Sequence, residues 1–407
     1  MESLITPTRS GSTSSAYTSL PVLDLPRPCA RSSTTGNMAS HFETTPPEVV
    51  ECIAQHLQLR DLISLRLACK ILAEKTLHYF GRTYYSRITT NMSFASIERL
   101  ENLSKSMSAV SHVRTFGLIW DEKAGDGLFW DREAAGAVLT NLPVVKRMIE
   151  VLVRLSNVRA IEVENPDKEE NTDKPPTHHL LGASDMLGLG FILIAELGTP
   201  IESLRIQFNL VVVEQVHLEQ ISKAKFKAAV STLKELWMRV ASSYQDCDWA
   251  WSLAKEACQV QKLYWCVRSL QVFHPGLIGS SHIQDLGFRS ETFAAPALTE
   301  VLLRSRHCLR VLSLVHIRLQ GHWRDMFRCL GSFDKLESVS FHFLRTHDRI
   351  PIYPLFRSDA VVNKLGLQED LLHLRKKMIG PRPRSVKIIG VDYRSPDTNI
   401  LLGLLSE

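Results

Sequence analysis

Residues 45–86 read TPPEVVECIAQHLQLRDLISLRLACKILAEKTLHYFGRTYYS, and this stretch sets the organisation of the chain. Thr45 suits a helix cap, Pro46 suits the first helical position, and Glu48 falls where a capping-box carboxylate reaches back to the cap's amide. Val49, Val50, Ile53 and Leu57 then recur at helical spacing and make one apolar face. After a break at Gln58, Leu59 and Arg60, Asp61 can cap a second helix, which places Leu62, Leu65, Cys69 and Leu72 on one stripe. Ile63, Leu67 and Ile71 are also apolar and lie off that stripe. A third helical piece from Lys75 ends near Gly81, among the aromatics Tyr79, Phe80, Tyr84 and Tyr85.

A bundle of roughly forty residues buries too little surface to be comfortable alone. This one also carries more apolar residues than a single internal core uses, so it should dock on the rest of the chain, lend a face to a partner, or both. Pro46, Glu48, Val50, Ile53, Leu57, Leu62, Leu65, Leu67, Cys69 and Leu72 follow a proline-opened helix and then a leucine-rich helix, with DLxxLRLxCKxL intact from Asp61 to Leu72. In this the stretch resembles the F-box, over roughly a tenth of the chain. It departs from the pattern at Thr45, where many F-boxes have a leucine, and so lacks one apolar contact. An ordinary helical subdomain without a partner is the other reading of these residues.

At 407 residues the chain is long enough for two or three domains and a large core. A hydrophobic content of 44% with 22% charged residues is that of an ordinary globular protein, and a net charge of +5 is too small and too diffuse to argue for nucleic acid. The eight cysteines show no CxxC pair and no regular spacing, and with no secretory signal they read as reduced, mostly buried thiols of a cytoplasmic or nuclear protein. The longest apolar run, Met186 to Leu197, is too short to span a bilayer. Residues 1–40 are rich in serine, threonine and proline and read as a disordered tail, with Met38 an alternative start. The helical unit occupies 41–86.

From 87 to 407 a different pattern repeats: short segments of the form apolar-x-x-apolar-x-apolar. They fall at Val113/Phe116/Leu118, Val158/Ile161/Val163, Ile201/Leu204/Ile206 and Leu233/Leu236/Met238. The same form continues at Val267/Leu270/Val272, Leu309/Leu312/Leu314, Leu336/Val339/Phe341 and Val386/Ile389/Val391. The last two apolar residues share one face of a strand and the first anchors the turn before it. Helices are predicted between them: Ser93 to Ser108 with Ile97, Leu100, Leu103 and Met107, Arg132 to Leu155, the segments at Leu298 and Trp323, and Asp359 to Met378. Strand-turn-helix units in series resemble a leucine-rich-repeat solenoid. The spacing, about 27 to about 50 residues, exceeds the usual 20 to 29, and the asparagine that turns such repeats after the strand stands in place only at Asn209. The fold class expected is therefore α/β: an F-box-like helical bundle followed by an irregular leucine-rich-repeat-like solenoid. A general α/β domain with similar buried strands is the alternative.

Residues 164–179 (ENPDKEENTDKPPTHH) read as a charged surface loop. Asp246, Cys247, Asp248, Trp249 and Trp251 read as a helix start with buried tryptophans. Gly188-Leu189-Gly190 lacks the third glycine and the preceding strand of a dinucleotide site, Gly279-Ser280-Ser281-His282 is no nucleophile elbow, and His178 and His179 have no metal-ligand spacing around them. No cofactor, metal or catalytic residue is expected.

The F-box resemblance implies a non-catalytic adaptor. Pro46, Pro47, Val50, Ile53, Leu57, Leu62, Ile63, Leu65, Leu67 and Leu72 would bind the small Skp-family linker, and through it the cullin, of an SCF-type ubiquitin ligase. The array would hold a target protein. Residues on the outward face of the strands would touch that target: Arg205, Gln207, Trp237, Arg239, Gln271, Phe273, Ser340 and His342. A slip of one residue in register would bury them all. No nucleic-acid or membrane partner is expected. The alternatives are a binding scaffold that joins no ligase and uses its F-box-like helices only within its own fold, and, more remotely, an enzyme.

Overall fold

The computed structural model describes residues 44 to 346, apart from internal stretches of which 166–178, 213–220, 242–247 and 269–277 are the longest. The expected tail, most of the charged loop, the helix at 359–378 and the strand at Val386 lie outside the described residues.

The N-terminal unit is helical, with boundaries that differ from the sequence reading. Helix α1 spans Pro47–Gln55, with Pro46 at its cap position and Pro47 as its first residue. Thr45 does not cap it, and its carbonyl accepts from Lys75 Nζ at 2.5 Å. Helix α2 spans Leu59–Ala68 with Gln58 at its cap position and no side-chain capping bond, so Asp61 lies in its first turn. At Cys69 the backbone turns fully extended (φ −158°, ψ 158°), and the thiol accepts from Leu72 N to cap a new helix, α3, Lys70–Lys75. Cys69 is thus an exposed break and not part of a continuous stripe. A short helix, α4 (Leu77–Phe80), runs into a π-helical turn at Gly81–Tyr85. Ala54, Leu62 and Phe80 form a small core of their own, flanked by Leu57, Ile63, Leu65 and Tyr84. Arg66 ties the pieces together: its guanidinium lies 4.3 Å over the Phe80 ring and donates to Ala73 O and Thr76 Oγ1.

The rest is one strand-and-helix array. Its strands are β1 (Arg87–Thr90), β2 (Thr115–Ile119), β3 (Ala160–Glu164), β4 (Ser203–Val212), β5 (Glu235–Ala241), β6 (Lys262–Arg268) and β7 (Asp285–Arg289). After a short strand, β8 (Thr292–Ala294), come β9 (Val311–Val315), the short β10 (Arg318–Gln320), β11 (Ser338–His342) and β12 (Arg345–Thr346). Strands β1 to β7, β9 and β11 make a nine-stranded, all-parallel sheet in chain order; β8, β10 and β12 make a second, three-stranded one. Parallel neighbours require crossovers, and helices supply them: α5 (Phe94–Ser104), α6 (Met107–Val110), α7 (Pro143–Arg154), α8 (Ala183–Leu197), α9 (Ala224–Val230), α10 (Asp248–Glu256) and α11 (Ala295–Arg304). Helices α5, α7, α8, α9 and α10 pack side by side in that order, and α8 lies on β2, β3 and β4.

Register makes the repeat visible. Ile88, Phe116, Ile161, Leu204, Leu236, Leu263, Leu286, Leu312 and Val339 are paired strand by strand, and all are buried under the helices. Two residues on, Thr90, Leu118, Val163, Ile206, Met238, Trp265, Phe288, Leu314 and Phe341 form a second buried row. Six of the predicted strand motifs therefore fall on strands in the predicted register. Val267 instead lies within β6, whose motif is Val260/Leu263/Trp265, and Leu270 and Val272 lie outside the described residues. The Ile283/Leu286/Phe288 motif of β7 is one that the sequence reading passed over. With these two in place, the steps from Leu236 through Leu263, Leu286 and Leu312 to Val339 are 27, 23, 26 and 27 residues, within the range typical of leucine-rich repeats. The irregularity belongs to the first half, where the steps from Phe116 through Ile161 to Leu204 are 45 and 43.

Other details depart from expectation. Asn209 does not turn the chain, because β4 continues through it to Val212 and bulges against β5. Where the turn does occur, Met92, Ser290 and His316 adopt left-handed backbone (φ 59°, 60° and 55°) at equivalent positions, four residues after Ile88, Leu286 and Leu312. The described residues between 132 and 142 are not helical: Arg132 and Val138 form an antiparallel bridge, and α7 begins at Pro143. Met107 is 83% exposed, because α5 ends before it. Cys52, Cys69 and Cys258 are exposed, so the thiols are less buried than expected. Trp249 and Trp251 are buried in α10, as read. Gly188 and Gly190 both lie inside helix α8, and Gly190 packs closely on Val163. None of the helices among the described residues is long and apolar enough to cross a membrane.

Candidate functional site

Two surfaces carry the candidate residues. The first is the face of the sheet opposite the helices. Alternation turns Arg205, Gln207, Trp237, Arg239 and Ser340 outward, since their neighbours Leu204, Ile206, Leu236, Met238, Val339 and Phe341 all point into the core. His342 belongs to the outward row of β11 by position; Gln271 and Phe273 lie outside the described residues.

Across four neighbouring strands one row reads Arg205, Trp237, Tyr264 and Gly287. The Arg205 guanidinium lies 4.9 Å over the Trp237 ring, and Trp237 stacks on Tyr264 with centroids 3.9 Å apart and planes at 18°. Tyr264 in turn leans over Gly287, where a Cβ would come within 2.9 Å of its ring. Arg205 also donates from Nη2 to Gln207 Oε1 at 2.8 Å, so its position is fixed on two sides. Toward β1 the face is charge-paired: Arg87 donates to Glu162 Oε2 at 2.6 Å and to Glu164 Oε1. Arg239 and Arg289, in the next outward row, have neither ion pair nor hydrogen bond among the described residues. Tyr264, Gly287 and Arg289 were not nominated from sequence. The misplaced register at Val267 and the unread strand β7 concealed them; the segments KLYWCVR and DLGFR hold the alternation that would have found them.

The second surface is on the helical unit. Ile53 (44% exposed) and Leu67 (50%) stand out from it, as does Val49 (48%), which was not nominated. Pro46 and Pro47 are exposed as well. Leu57, Ile63 and Leu65 are half-buried against the small core, whereas Val50, Leu62 and Leu72 are buried and offer no surface. The unit meets the array where His112 lies edge-on to His78 at 5.7 Å and covers Gly81, and where Ser86 O accepts from Arg114 N and Thr115 N at 2.9 Å. Ile63, Leu67 and Ile71 are not buried against the strands.

Among the described residues no group of three or more His, Cys, Asp or Glu side chains could hold a metal ion. Glu291, after β7, is a buried carboxyl whose pKa burial pushes well above the usual range. Its Oε1 accepts from Val267 N at 2.9 Å and caps the end of β6, while Oε2 has no hydrogen-bond partner among the described residues.

No family model matches the chain. No curated protein matches it either. Among solved structures it is similar to an internalin from Listeria monocytogenes, at 12% sequence identity and a TM-score of 0.29, over 63% of this chain and 69% of that one.

Proposed function

We propose that the chain is a non-catalytic adaptor: its helical unit binds a Skp-family linker of an SCF-type ubiquitin ligase, and its strand array holds a target protein. The observation that supports this most directly is the position of Val49, Ile53 and Leu67. The helical unit closes its own core with Ala54, Leu62 and Phe80 and still leaves these large side chains in solvent. An apolar helix face with no intramolecular cover suits helix-in-groove recognition. The array contributes by placing the target beside the transfer machinery, which raises effective concentration without supplying a reacting group.

The test is capture of purified Skp-family linker by the full chain and by an Ile53→Asp/Leu67→Asp variant. Both positions are exposed, so the variant should keep the wild-type circular dichroism spectrum. Linker bound by the wild type and lost in the variant is the expected result. No capture by the wild type would favour a ligase-independent scaffold whose helices only close the β1 end of the array, a reading that the contact between Gly81 and His112 also suits.

A further inference from the structure

We propose that the open face of β4 to β7 receives a short, extended, acidic segment of the target, with Arg239 and Arg289 pairing its carboxylates and the Trp237–Tyr264 stack supporting its chain. This rests on the reading of the array as the target-holding part of the molecule.

Charge distribution carries the inference. Arg205 and Gln207 pair in register with Trp237 and Arg239, Arg239 pairs with Cys266, and Arg289 lies one strand beyond, following the pair Trp265–Phe288. Three arginines thus leave one face of four adjacent strands. Arg205 is already stacked and hydrogen-bonded, and Arg87 is neutralised by Glu162 and Glu164. Arg239 and Arg289 are not neutralised by any described residue, and Arg pairs carboxylates in a fork geometry that fixes orientation as well as charge.

Shape narrows the ligand. Three strand spacings cover about 14 Å, room for roughly four residues of extended chain. The strip is bounded: Glu162 and Glu164 lie on one side, and Glu235 and Asp285, with Lys262 between them, occupy the outward row nearer the strand starts. A continuous polyanion would meet those carboxylates, whereas a peptide with a few acidic side chains would not. Beyond the Tyr264 ring the row falls to Gly287, Ser313 and Ser340, so a backbone can approach the sheet beside an aromatic wall. Trp, Tyr and Arg are the residue types that most often anchor interfaces.

The experiment measures fluorescence anisotropy of full-chain protein with labelled short peptides carrying glutamate at alternate positions and randomised residues between. A matched glutamine library and a single-stranded DNA oligonucleotide serve as comparisons. The glutamate library should bind, the glutamine library should bind about tenfold more weakly or not at all, and added salt should weaken the complex. Arg239→Glu/Arg289→Glu should reduce binding by about tenfold or more. Failure of the glutamate library, indifference to the double reversal, or tighter binding of the oligonucleotide would overturn the proposal. Linker capture on the same preparations separates the two readings. Peptide binding lost with linker capture retained removes only this site; linker capture lost with peptide binding retained removes the adaptor and leaves the site.

Discussion

At the scale of single residues, Glu291 is where the fold tolerates an unfavourable group for a local return. Its carboxyl closes the free amide of Val267 at the end of β6, and burial holds it protonated far above the pH at which an exposed glutamate ionises. The unfolded chain releases this proton near pH 4.3, while the folded chain keeps it. Between those two pKa values the native state binds more protons, so its stability falls as pH rises. Glu291→Gln keeps an acceptor for Val267 and removes the titration. Urea midpoints of the two proteins should therefore diverge in favour of the variant as pH rises above about 4.3; parallel curves would show that Glu291 does not carry the effect.

At the scale of elements, α8 shows how a helix is fitted to a sheet. Gly190 lies where the helix crosses β3, and a Cβ there would meet Val163 Cγ2 at 2.9 Å. Alanine favours a helix over glycine by about 1 kcal/mol. Overpacking a buried contact costs about 1–3 kcal/mol, and Val163 is a β-branched core residue with nowhere to turn. The second effect should win, so Gly190→Ala should lower the urea midpoint by an amount corresponding to roughly 1 kcal/mol. Gly188 is the internal control, since a Cβ there meets nothing within 4 Å, and Gly188→Ala should stabilise.

At the scale of the whole molecule, each strand pairs only with the one before and the one after it in its own sheet, and the helical unit has its own core. Such arrays unfold locally as well as globally. Leu62→Ala removes the centre of the small core, a change that costs about 2–5 kcal/mol in buried sites. Hydrogen exchange should then quicken across residues 44–85 while β3 to β6 keep wild-type protection. Uniform loss of protection would mean that the unit and the array fold as one.

The sequence by itself determined that the N-terminal unit is helical, that strands and helices alternate after it, and six strands in their correct register, because burial of one face forces a period that survives in the residues. It therefore also placed Arg205, Trp237 and Arg239 outward together. It did not determine the helix break at Cys69, since an extended residue between two good helices carries no local signal. It misplaced β6, because Leu263, Trp265 and Val267 alternate far enough to permit more than one register, and it missed β7 with its Ile283/Leu286/Phe288 motif. Only tertiary structure decided that Tyr264 lies between Trp237 and Gly287, or that Ile53 and Leu67 remain exposed while Leu62 is buried. Those outcomes depend on which apolar side chain finds a neighbour across strands or helices distant in sequence, and no spacing along one segment records that.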